Sequence, residues 1–209
     1  QAGANGDGAA NIIAIGLQSG KNNTASNNIF IGAESGMNNT DGLYNLFVGT
    51  RAGFLNTGGS GNLMLGYYSG YNNTSNNNIF IGQAAGFNNT TGAQNIAIGL
   101  EAINNNQVGN NIIALGYQAG YNNTTNNNIF VGTNAGYTNT TGTQNIAIGY
   151  QAGYNNITGS NNLLLGLNAG FNNTVDGNVF IGPFAGYTNS TGTLNIAIGL
   201  NALYSNNYG

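Results

Sequence analysis

The stretch Tyr71–Gly82, YNNTSNNNIFIG, recurs almost unchanged at Tyr121–Gly132 as YNNTTNNNIFVG. Its closing box, N-I-F-I-G, returns in variants along the whole chain. With the last Gly as position zero, the markers are Gly16, Gly32, Gly49, Gly66, Gly82, Gly99, Gly116, Gly132, Gly149, Gly166, Gly182 and Gly199. The spacings run 16, 17, 17 and repeat, a superperiod of 50 residues that reads as duplication of a three-unit block. A short fixed period of this kind belongs to coils that stack on one another.

Working outward from the box, the columns of the twelve units acquire physical roles. Positions −3 and −1 are aliphatic in all twelve, from Ile13 and Ile15 to Ile196 and Ile198, a period-two alternation that predicts a strand with one face in a core. Position −2 is expected to face away from the coil interior, yet it is never polar: Phe30, Phe47, Met64, Phe80, Phe130, Leu164 and Phe180 alternate there with Ala. Position +3 is Ala or Ser throughout, and +4 is Gly in ten units, with Ile103 and Leu203 the exceptions. Position +5 is aromatic in nine.

The turns are equally regular. Position +7 is Asn in every unit (Asn23, Asn39, Asn56, Asn73, Asn89, Asn106, Asn123, Asn139, Asn156, Asn173, Asn189 and Asn206), and −4 is Asn in ten. Asn tolerates the left-handed conformation and bonds its own backbone at turns, and stacked copies can form amide ladders. The one-residue difference between units falls in the segment after the N-N-T turn, Thr74–Asn78 against Thr90–Asn95, so strand register should survive it. Gly and Asn at this density argue against helix, at about 0.5 to 1 kcal/mol per site relative to Ala. The expectation is an all-β parallel β-solenoid (β-roll or β-helix) of about twelve coils spanning residues 1–209, with a partial first coil at 1–11. At about 4.8 Å per rung the array would be roughly 55 to 60 Å long.

Composition narrows the function. Only seven of 209 residues are charged (Asp7, Lys21, Glu34, Asp41, Arg51, Glu101 and Asp176), there is no His, Cys or Trp, and 36 Gly with 45 Asn make up almost two fifths of the chain. An imidazole base, a thiol nucleophile and the usual zinc ligands are thereby excluded, and the scattered carboxylates offer no acid/base pair, so no enzyme, metal or cofactor is expected. Two cations are too few for a nucleic-acid binder. No apolar run reaches membrane-spanning length and no leader pattern begins the chain.

The repeat resembles the head repeats of trimeric autotransporter adhesins, a left-handed β-roll with apolar A-I-G strands. It is still more similar to the G-Y-Q-A-G-Y-N-N-T repeats of bacterial surface and phage tail-fibre-like proteins, here at Gly116–Thr124 and Gly149–Asn156. The coil here is larger than the adhesin head unit. The resemblance implies an extracellular or cell-surface protein, assembled as a trimer or fibre.

A strand apolar on both faces is normally buried on both, so the −2 stripe is expected to pack against another copy; a monomer that covers both faces with its own loops is the alternative. Gln1–Gly3 fits the end of a preceding coil, and Gly209 follows the last marker by ten residues with no atypical cap, which suggests either a segment of a longer array or copies stacked end to end. The leading expectation is thus a structural or adhesive rod that associates with itself. The second is a module for surface glycans or a host receptor, using the aromatic column Tyr71, Tyr121, Tyr137, Tyr154 and Tyr187 to stack sugar rings. A weaker third is ice binding through the Thr column at +8, which Gln107 and Ile157 interrupt. Glu34 and Arg51, both at +2 of adjacent units, should meet as a cross-coil pair contributing roughly 0 to 1 kcal/mol.

Overall fold

The computed structural model describes residues 9–206. Gln1–Gly3, Asp7, Gly209 and most of the partial coil at 1–11 lie outside them. The described chain is all-β, built from three-residue parallel strands that stack as a β-solenoid. It divides into two compact units, 1–108 and 109–209. The first holds β1 (Ile13–Ile15), β2 (Ile29–Ile31), β3 (Leu46–Val48), β4 (Leu63–Leu65), β5 (Ile79–Ile81) and β6 (Ile96–Ile98). The second holds β7 (Ile113–Leu115), β8 (Ile129–Val131), β9 (Ile146–Ile148), β10 (Leu163–Leu165), β11 (Val179–Ile181) and β12 (Ile196–Ile198).

Within each unit every strand pairs in parallel with its sequence neighbours, and identical columns meet: Ile13 with Ile29, Ile29 with Leu46, Leu46 with Leu63. The first step is 16 residues and the next two are 17, so the extra residue is absorbed in the turn and the register holds. The same holds in the second unit, where Ile129 meets Ile146 and Ile146 meets Leu163.

The orientation of the strand is the reverse of the expectation. Phe30, Phe47, Met64, Phe80, Leu164 and Phe180 are 0% exposed and Phe130 1%, so the −2 column fills the coil interior. The flanking aliphatics at −3 and −1 point outward and are partly exposed, as at Ile31, Ile98 and Ile148. The seven residues expected to form an outer assembly interface are therefore the hydrophobic core.

Volume complementarity within coils and between neighbouring coils explains the choice; Gly20 and Gly153, in coils with Ala at −2, face Phe30 and Leu164 of the next coil. The Phe at −2 lies against the backbone at +4, where a Cβ on Gly36 would come within 2.3 Å of the Phe30 ring and one on Gly86 within 2.6 Å of Phe80. The two units that carry a branched aliphatic at +4, Ile103 and Leu203, are both units with Ala at −2, Ala97 and Ala197. Ile103 and Ala97 are fully buried. A large residue on one wall is matched by a small one opposite, as close packing requires. The marker Gly has a different reason: at Gly49, φ is +134° and a Cβ would sit 2.4 Å from the carbonyl oxygen of Gly66, one coil on.

Candidate functional site

The interior corners carry two buried Asn columns. At +7, Asn39 donates its amide to Asn23 Oδ1 at 2.6 Å, Asn56 to Asn39 at 2.7 Å, Asn89 to Asn73 at 2.7 Å and Asn106 to Asn89 at 2.7 Å. Asn73 reaches Asn56 at 3.4 Å. In the second unit the bonds run from Asn139 to Asn123, Asn189 to Asn173 and Asn206 to Asn189, while Oδ1 of Asn156 has no partner. Most of these amides also close their own turn, as Asn39 does on the Gly42 carbonyl at 2.8 Å.

The −4 column forms a second ladder in which Oδ1 accepts the backbone N–H of the next coil's Asn, from Asn45 to Asn28 at 2.8 Å and from Asn62 to Asn45 at 2.9 Å. Cross-bonds such as Asn78 Nδ2 to Asn73 Oδ1, 3.0 Å, join the two columns. A buried amide without partners would cost about 1 to 3 kcal/mol, so these Asn residues are structural, and apart from Oδ1 of Asn139 and Asn156 and Nδ2 of Asn195 their polar groups are directed at one another and at the backbone.

The aromatic column is also turned on itself. Phe54, Tyr71 and Phe87 stack at 5.1 Å in the first unit. In the second, Tyr121, Tyr137, Tyr154, Phe171, Tyr187 and Tyr204 form a continuous stack at 5.0 to 5.2 Å with interplanar angles of 15° or less. Inside such a stack both faces of each ring are covered by its neighbours. Tyr71, Tyr137, Tyr154 and Tyr187 thus present edges to the surface, and a sugar ring has no open face there on which to lie; Tyr121 begins the stack of its unit and is stacked on one face only, by Tyr137. Apart from Thr57, the Thr hydroxyls at +8 are likewise engaged, donating to carbonyls of the next coil as in Thr24 to Thr40, 2.6 Å, and Thr74 to Thr90, 2.8 Å.

Two surfaces remain. The outward face of each unit carries the −3 and −1 aliphatics, continued by larger residues at +1 such as Tyr117, Tyr150 and Leu167, which are 43%, 51% and 41% exposed. The other is a polar and aromatic cluster in the first unit. The expected Glu34–Arg51 pair forms, with Arg51 Nε donating to Glu34 Oε2. The guanidinium also donates through Nη1 to the Tyr68 hydroxyl at 2.9 Å, and it lies 5.6 Å from the Phe54 ring and 5.7 Å from the Tyr68 ring. The hydrogen bond to Glu34, then that to Tyr68, holds Arg51 above its ordinary value. The Tyr67 hydroxyl, ahead of Arg51, pulls the Tyr68 phenol down, and the same contact pushes Tyr67 up.

Tyr67 and Tyr68 were not singled out from the sequence, although a signal was present: no other unit has aromatic residues at both +1 and +2. Among the described residues no group of three or more Asp or Glu side chains converges as a metal site, and no helix is long and apolar enough to cross a membrane. Comparison with known proteins gives no match: no family model, no curated protein and no solved structure is significantly similar to the chain.

Proposed function

We propose that the chain is a non-enzymatic structural or adhesive repeat protein of the cell exterior, whose coils associate side by side with those of further copies. The observation that carries this reading is the outward aliphatic face, two branched or large apolar residues on each strand with almost no charge around them. An apolar surface carried over six successive strands of each unit exceeds what a monomer ordinarily leaves in water. Its most direct complement is a second copy: the two stripes share one period, so each row of one can lie between rows of the other, and no charges oppose the approach. The resemblance of Gly116–Thr124 to bacterial surface and tail-fibre repeats supports the extracellular setting. The mechanism is mechanical, since backbone ladders, amide columns and a filled core in each unit give rigidity without metal or disulfide.

Sedimentation velocity tests it. The expected result is a concentration-dependent assembly, a trimer if the adhesin-like arrangement holds, that Ile31→Asp, Ile98→Asp and Ile148→Asp together dissociate without changing the circular dichroism spectrum. A stable 21.4 kDa monomer at micromolar concentration would overturn the reading.

A further inference from the structure

We propose that Glu34, Arg51, Tyr67 and Tyr68 form a binding site for a neutral saccharide, gripped through a pair of adjacent hydroxyls. Three of these residues occupy the same column on successive coils, and their backbone N–H groups are pinned to the preceding coil: Glu34 to Leu17 at 2.8 Å, Arg51 to Ala33 at 2.9 Å, Tyr68 to Thr50 at 3.0 Å. All three hold left-handed φ angles, 56°, 57° and 58°. Glycine would adopt that conformation without strain, yet the column retains side chains here, and the stacked backbone fixes where they start.

The guanidinium is immobilised before any ligand arrives. Glu34 holds Nε, the Tyr68 hydroxyl holds Nη1, and the Phe54 and Tyr68 rings flank the group. Nη2 of Arg51 and Oε1 of Glu34 have no partner among the described residues, and the two side chains remain 38% and 24% exposed. A donor pair and an acceptor oxygen therefore stand side by side at the surface. Binding there incurs little ordering cost, which is how a preorganised site gains affinity.

The chemistry of the pair selects the ligand. An anion would be drawn to Arg51 but repelled by Glu34, and a cation the reverse, so neither gains a clear advantage from a neutral ion pair. Vicinal hydroxyls fit both groups at once, one donating to Oε1 while its neighbour accepts from Nη2, and charge-assisted hydrogen bonds of this kind are the stronger class. An apolar surface for the C–H face of the sugar ring lies alongside. Tyr67 is 49% exposed and stands edge-on to Tyr68 at 4.1 Å and 80°, making an aromatic corner beside the pair. The next residue in the column is Ala84, and Tyr68 leans over that step to within 5.9 Å of Phe87. Tyr67 differs from the rings of the stacked column in having no parallel ring partner among the described residues, its one ring contact being edge-on.

The inference goes beyond the assembly reading, and its outcome is independent of it. The whole chain is titrated with cellohexaose, maltohexaose and mannohexaose, and with oligogalacturonate as the acidic comparator. Binding is followed by saturation-transfer NMR and calorimetry, and repeated on the dissociated triple variant so that self-association cannot mask it. At least one neutral oligosaccharide is expected to bind, with affinity falling ten-fold or more in Tyr67→Ala and in Arg51→Lys, which keeps the charge but loses the fork. Phe184→Ala, altering the other aromatic residue of the +2 column, where no ion pair lies beside it, should leave affinity unchanged. Failure of all three neutral probes, binding of the acidic probe alone, or binding indifferent to both Tyr67→Ala and Arg51→Lys would overturn the proposal.

Discussion

At the scale of single residues, the left-handed positions separate backbone preference from packing. Ala84 and Gly86 stand two residues apart with φ angles of 54° and 61°. Ala84 lies in the outer +2 column, whereas a Cβ on Gly86 would press into the Phe80 ring at 2.6 Å. Ala84→Gly should therefore be neutral or stabilising, since relief of left-handed strain opposes the added freedom of the unfolded chain. Gly86→Ala should cost about 1 to 2 kcal/mol from conformation, with overpacking adding about 1 to 3 kcal/mol. Urea unfolding of the two variants checks this, and equal losses would mean that Phe80 yields freely. The corner residues were legible in the sequence because Asn and Gly recur in fixed columns. Their partners were less so: the Asn at −4 reads as a turn residue, and only the coil stack shows its Oδ1 accepting the next coil's N–H.

At the scale of the coil, the decisive relation is between −2 and +4. Ala97 opposite Ile103 is the inverse of Phe80 opposite Gly86, with all four buried. Ala97→Phe alone should overpack the interior, and Ile103→Gly alone should leave a cavity; in isolation the latter is expected to cost about 2 to 5 kcal/mol. Combined, they recreate the Phe–Gly pairing found in other coils and should recover most of the loss, a coupling of about 0.5 to 3 kcal/mol in a double-mutant cycle. Additive losses would show that the two columns do not share one volume. The same relation was available in the sequence, where the two units without Gly at +4 both carry Ala at −2. It outranks hydrophobicity as a guide to the inward face, because here both faces of the strand are apolar.

For the molecule as a whole, the scarcity of ionisable groups makes a broad prediction. With no His and only seven charged residues, folded and unfolded chains bind nearly the same number of protons between roughly pH 5.5 and 7.5, below the range in which the Tyr68 phenol begins to titrate. The urea midpoint should stay level across that range and change little with added salt, and a sloping midpoint would reveal a coupled group absent from this reading. The missing charge suits stacking: like charges on successive rungs would repel, whereas neutral amides donate and accept in turn along each column.

The sequence by itself determined the period, the parallel register, the absorption of the extra residue in a turn, the Asn and Gly corners and the meeting of Glu34 with Arg51. Each of these follows from columns that repeat, and a column needs no knowledge of what lies across from it. Only the tertiary structure decided which strand face is interior, that the aromatic column stacks upon its own faces, and that Tyr67 and Tyr68 stand open beside the ion pair. Those depend on volumes and ring planes meeting across and between coils. Apolar character alone says that a side chain prefers to be covered, not which neighbour covers it.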